Sequence, residues 1–193
     1  QSTYDDILRA VSLAGRGEAE EASGLLSGLK AIDADATMLL VRGDICLKAG
    51  RINEARRDFT TAENLKHGSG IYGLARCAAA EGDARAAVAW LETHLRSPLR
   101  KSEPEILLDD SFSQVSASPE WKNLWKKDWY KGYERKSWEI EHYLKTGRTD
   151  MAVESWEELK AVYPEMQVTD YCEARILMKK EKYDEAAAIL SEL

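Results

Sequence analysis

Gly68, Gly70 and Gly73 are spaced Gly-x-Gly-x-x-Gly. Between a strand and a helix, that spacing lets backbone amides cradle a dinucleotide pyrophosphate. Here the run ends one helical pattern and enters another, so it marks a turn between helices. Ser27 and Lys30 have the Ser-x-x-Lys spacing of an acyl-enzyme nucleophile, without its companion motifs. His67, His94 and His142 are scattered and lack a His-Glu-x-x-His pattern. Cys46, Cys77 and Cys172 are not at ligand spacing, so no metal site and no cofactor is indicated. Each cysteine sits on an apolar face, which fits reduced core thiols. No nucleophile has a base and an orienting group beside it. The expectation is a protein that is not an enzyme, with no catalytic residue.

Two other patterns could carry binding chemistry. Trp121, Trp125, Trp129 and Tyr133 recur every four residues. Lys122, Lys126, Lys127, Lys131, Arg135 and Lys136 are interleaved with them, opposed by Asp128 and Glu134, for a local charge of +4. Rings and cations in alternation could form a platform for nucleic acid or another acidic ligand, with Lys122, Lys126, Lys127 and Trp129 at its centre. The preferred reading is that the same stripe packs on neighbouring helices and leaves a solvated basic face. The chain as a whole carries −7, which weighs against a polyanion partner. The second pattern is a repeated pair, Tyr72 with Arg76 and Tyr171 with Arg175, each at i, i+4. Rigid aromatic area beside a bidentate donor suits peptide recognition. An ordinary solvated helix face would also carry it.

The elements that position these residues can be read from spacing. The chain has 193 residues, 44% hydrophobic, with only 4 Pro and 12 Gly, a composition that favours helix. No apolar run approaches a membrane span. The stretch from Ala36 to Lys66 carries one apolar helical face up to Gly50 and a second from Ala55 through Phe59 to Ala62. A glycine stop followed by an Asn start describes a helix-turn-helix hairpin. Its register, Gly43, Cys46, Gly50, Ala55, Phe59, Ala62, recurs four times more. The other copies are Ala10, Leu13, Gly17, Ala22, Leu26, Leu29; Ala75, Ala78, Gly82, Ala87, Leu91, His94; Ile140, Tyr143, Gly147, Ala152, Trp156, Leu159; and Ala174, Leu177, Glu181, Ala186, Leu190, Leu193. The offsets are 33, 32, 65 and 34 residues, and the third is close to two periods.

This register resembles the tetratricopeptide repeat family. The small residue of the first helix, the glycine between helices and the Ala-aromatic-Ala run of the second are carried by Gly43, Gly50, Ala55, Phe59 and Ala62. Pro164 stands where the family often places its closing proline. Ala10, Ala75, Ala174 and Ile140 depart from the first glycine, and Glu181 from the second. The resemblance implies an all-α, right-handed superhelical solenoid of antiparallel helix pairs with an irregular insert between the third and fourth repeats. Three repeats would span 3–96, the insert with a short Trp-rich helix 97–130, and two further repeats 131–193.

The insert holds Pro98, Pro104 and Pro119, which break long helices. Ser118-Pro119-Glu120 then reads as a helix start. Its Asp-rich turn, Phe112, Pro119 and Trp121 resemble a segment that closes a stack in this family, so the first three repeats would have their own cap. A break is expected between Lys127 and Gly132.

The family's concave face is lined by the first helix of each repeat. That assignment gives Asp44, Lys48, Tyr72, Arg76, Tyr171, Arg175 and Lys179 as candidate partner-binding residues. The clamp that some members use for carboxyl-terminal tails is missing, since Ile7, Val11, Val41, Ser69 and Gly73 occupy its places. The expected function is a non-catalytic scaffold that binds a protein or peptide in its groove. The alternative is a recruiting or regulatory domain of a larger enzyme or of a secretion or envelope assembly. A third possibility is nucleic-acid or acidic-ligand binding through 121–136. The end near Leu190 and Leu193 would be covered by further chain or a partner. Gln1 in place of Met leans towards a bacterial periplasmic or cell-envelope location, and three unpaired cysteines lean towards the cytoplasm.

Overall fold

A computed structural model describes residues 2–193. Gln1, which carried the expectation about location, lies outside the described residues. Among those residues the chain forms twelve α-helices, two short 3-10 turns and no strand. None of the helices is long and apolar enough to cross a membrane. The chain divides into two compact units, the first ending at Lys127 and the second spanning Asp128–Leu193.

The first unit holds three adjacent helix pairs. They are α1 (Thr3–Gly15) with α2 (Ala19–Leu26), α3 (Ala36–Lys48) with α4 (Ile52–Leu65), and α5 (Ile71–Ala80) with α6 (Ala84–Leu95). Side-chain caps start several of them. Ser2 and Asp5 form a capping box on α1, Asp35 accepts from the Met38 amide, and Asp83 accepts from the Ala86 amide. The second unit holds α9 (Gly132–Lys145) with α10 (Thr149–Val162), and α11 (Gln167–Lys179) with α12 (Tyr183–Leu190). Helix α2 stops at Leu26, short of the expected Leu29, and a 3-10 turn over Lys30–Ala34 follows.

All five pairs turn the corner in the same way. Gly17, Gly50, Gly82 and Gly147 have φ between 73° and 87°, and Glu181 adopts the same left-handed backbone at 62°. The amide of each following residue reaches back to the carbonyl of Leu13, Cys46, Ala78, Tyr143 or Leu177, at 2.8–3.0 Å. The amides of the corner residues themselves bond the residues three before them. This is the Schellman closure, which satisfies the last carbonyls of one helix and aims the chain into the next.

Small residues set how closely the pairs pack. A Cβ added at Gly43 would fall 2.7 Å from the Phe59 ring, and one at Gly73 would overlap the same ring. Phe59 of α4 thus fills space left by one glycine on α3 and another on α5. It is buried with Cys46, Ala55, Leu74 and Cys77. Ile7, Ala10, Leu13, Ala22, Leu26 and Leu39 form the neighbouring core. In the second unit the core is Ile140, Leu144, Ala152, Leu159, Cys172 and Ile176.

The segment after α6 is a packed part of the first unit. It forms α7 (Glu103–Leu107), a 3-10 turn over Asp110–Phe112, and α8 (Pro119–Leu124). Ser102 with Glu105 boxes the start of α7, and Ser118 caps α8 with Pro119 at its first position. Ile106, Phe112, Val115, Trp121 and Leu124 are all buried. Helix α8 ends at Leu124 and α9 begins at Gly132, so the break opens earlier than Lys127 and spans Trp125–Lys131. The four rings at 121, 125, 129 and 133 therefore do not share one helix face.

Candidate binding grooves

In each unit, the first helices of the last two pairs are tied by an acid and an arginine. Asp44 on α3 pairs with the Nη1 group of Arg76 on α5. Glu141 on α9 accepts from Nε and Nη2 of Arg175 on α11, at 2.9 and 3.1 Å. The two acids occupy the same place in the register, as do the two arginines.

In the first unit these residues line a groove of about 460 Å³ with Tyr72, His94, Lys101 and Asp109. The Tyr72 hydroxyl donates to Asp109 Oδ2 at 2.8 Å. Arg76 Nε donates to Ser111 Oγ at 3.1 Å and lies 3.3 Å from Asp109 Oδ2. The Phe112 and Tyr72 rings meet in a T-shaped arrangement, with centroids 5.8 Å apart. The segment after α6 therefore occupies the Tyr72–Arg76 pair. Burial and the bond to Asp109 push the Tyr72 phenol up from its ordinary range. Burial works against ionisation of Asp109, but the bonds from Ser111 and Tyr72 and the charge of Arg76 outweigh it and hold its carboxyl below the usual range. His94 Nε2 accepts from the Lys101 amide at 2.9 Å, and its buried Nδ1 has no hydrogen-bond partner among the described residues. Burial and nearby Lys101 bring the imidazole down to about 4. Lys48, at the end of α3, is exposed and outside this groove.

In the second unit Leu144, Lys145, Arg175, Met178 and Lys179 line an open groove of about 300 Å³. Tyr171 stands exposed one turn before Arg175. The bond to Glu141 raises the Arg175 guanidinium, which stays a fixed cation. The structure thus gathers Asp44, Tyr72 and Arg76 in one groove and Arg175 and Lys179 in another.

The basic run is dispersed. Lys126 bonds Asn123 Oδ1 at 2.9 Å, Lys127 pairs with Glu92, and Lys122 is exposed on α8. Trp121 packs on Phe112 at 5.2 Å and on Trp125 at 5.7 Å, within the first unit. Trp129 belongs to the second unit and is half-buried, as is Tyr133, which meets Tyr163 at 5.6 Å.

Other features that could carry chemistry are occupied by the chain itself. The amides of Gly68 and Gly70 donate to Glu63 Oε1 and Oε2 at 2.7 and 2.9 Å, so this glycine-rich turn holds its own carboxylate. Arg42 forks onto Asp58 at 2.8 and 2.7 Å and reaches Asp33 at 2.8 Å, tying the turn at Lys30–Ala34 to α3 and α4. Cys46, Cys77 and Cys172 are free and buried. Burial pushes Cys77 and Cys172 up to about 11, which suppresses thiolate chemistry. No cluster of His, Cys, Asp or Glu suited to a metal occurs among the described residues.

Asp109, Ser111, His94 and Lys101 were not expected at the first groove. The one sequence signal was the Asp-rich turn before Phe112, read as part of a closing segment. No protein-family model matches the chain, and no curated protein sequence does.

Proposed function

We propose that the chain is a tetratricopeptide-like scaffold, its helix pairs stacking within each unit in a right-handed superhelical sense, and that it binds a protein or peptide without catalysing a reaction. The first helices of each pair form the binding face, and the working site is the groove of the second unit. The observation that carries this is the open groove lined by Leu144, Lys145, Arg175, Met178 and Lys179, drawn from two successive first helices. Apolar floor and basic rim together suit an extended or helical segment of acidic character. The register supports the family resemblance, because all five corners have a left-handed residue at the same position and the same closure. A recruiting domain within a larger assembly would use the same surface.

Panning a displayed peptide library on the whole chain tests this. Lys145 and Lys179 are exposed, so Lys145→Glu/Lys179→Glu should leave the melting curve unchanged. Peptides retained by the wild type and lost by the double variant are the expected result. Equal retention by both, or retention by neither, overturns it.

A further inference from the structure

Among the described residues, the last helix pair of each unit presents the same face, but only that of the first unit is covered. Tyr171 follows Tyr72, and Arg175 follows Arg76, by the same 99 residues. At that offset Met178 matches Ala79 and Leu190 matches Leu91. In the first unit Tyr72, Ala79 and Leu91 are 7%, 0% and 0% exposed. In the second, Tyr171, Met178 and Leu190 are 45%, 40% and 41% exposed. What makes the difference in the first unit is the segment running from α7 to α8, through the 3-10 turn against α5 and α8 against α6.

That segment displays the chemistry its face selects. Asp109 takes the tyrosine hydroxyl and sits against the arginine, Ser111 takes the arginine Nε, and Phe112 packs T-shaped on the tyrosine ring. The recognition unit is an acid, a hydroxyl two residues on and an aromatic three residues on. The open face repeats the tyrosine and the arginine, and exposed Lys145 and Lys179 line the groove with that arginine. Residues 103–112 supply four acids, Glu103, Glu105, Asp109 and Asp110, with no base. Charge is thus complementary between the open face and a segment of this type.

We infer that the α11–α12 face binds, in trans, a partner segment of the acid-x-Ser-aromatic kind, held on Tyr171 and Arg175 as residues 109–112 are held on Tyr72 and Arg76. This rests on the groove proposal above and names its ligand class. Arg76 holds Asp44 through Nη1 and offers Nε to the segment. Arg175 holds Glu141 through Nε and Nη2, so docking turns the guanidinium and releases Nε.

The probe is a labelled peptide with the sequence of residues 103–124, titrated against the whole chain by fluorescence anisotropy. Saturable binding is expected. Tyr171→Ala or Lys179→Glu in the chain, and Asp109→Asn or Phe112→Ala in the peptide, should each weaken it about tenfold or more. Tyr72→Ala in the chain should not. Lys179→Glu changes an exposed residue, so a loss there does not reflect misfolding. Weakening by Tyr72→Ala but not by Tyr171→Ala would place the peptide on the first unit and overturn the inference. So would self-association of the chain abolished by Tyr171→Ala, since a second copy would then be the occupant. No binding at about 0.1 mM also overturns it. If library peptides of other chemistry are still lost with Lys145→Glu/Lys179→Glu, the groove proposal survives that result; if none are, both fall.

Discussion

The Tyr72 hydroxyl donates to the Asp109 carboxylate across 37 residues of chain. This bond joins α5 to the segment that covers it. Asp109 is held below the usual carboxylate range in the fold, so its contribution is complete above the unfolded value, near 4, and is lost as pH falls through the folded value. Asp109→Asn should cost about 1–2 kcal/mol at neutral pH, and the gap to wild type should close in acid. Urea melts followed by tryptophan fluorescence at several pH values check it. A gap that stays constant down to pH ~3 would remove the carboxylate from the account.

His94 gives a second pH dependence, in a higher window. Its folded value of about 4 lies below the ordinary 6.5, so protonation favours the unfolded chain. Stability is therefore full above about pH 6.5 and falls towards pH 4, by roughly 3 kcal/mol in all. His94→Leu should flatten this limb. At neutral pH it should be slightly destabilising, because the Lys101 amide loses its acceptor. An unchanged slope between pH 7 and 4.5 in the variant would sink the assignment.

Glycines of different context should respond in opposite directions. At Gly73 any side chain meets the Phe59 ring, so Gly73→Ala should destabilise by about 1–3 kcal/mol. Gly24 lies inside α2 with nothing within 4 Å of a new Cβ. Gly24→Ala should stabilise by about 0.5–1 kcal/mol. Thermal melts of both variants decide the matter, and equal effects would contradict the packing described.

Glu181 is the one corner residue that is not glycine, and it holds φ of 62°. Left-handed backbone costs an L side chain roughly 1 kcal/mol. Glu181→Gly should therefore raise the stability of the second unit by several tenths of a kcal/mol to about 1. The converse change Gly82→Ala should lower that of the first by about 1 kcal/mol. Hydrogen exchange on α11 and α12 resolves the second unit separately.

The helix pairs were legible because their starts and stops are local chemistry. The residues at 17, 50, 82, 147 and 181 act as corners through neighbours within one turn, whereas the expected Asn start at 53 lies inside α4, whose N-cap Arg51 makes no side-chain cap bond. The Asp44–Arg76 and Glu141–Arg175 ties could also have been found, since the same register position alternates acid and base. The coverage of Tyr72 could not. It depends on where a segment with three prolines turns back, and only the packed fold brings Asp109 to α5. The spacing of Trp121, Trp125, Trp129 and Tyr133 reads as one helix face, yet α8 ends after Leu124. Period alone does not reveal where a helix stops.

Phe59 has a consequence for how the first unit opens. Its ring occupies the clearance left by Gly43 on one side and Gly73 on the other, so α3, α4 and α5 share a single side chain. The third pair cannot swing away from the second without stripping the Gly73 side of that ring, nor can α3 part from α4 without stripping the Gly43 side. Amides along these three helices should exchange in one concerted event, while those of α1 and α12 report independent fraying.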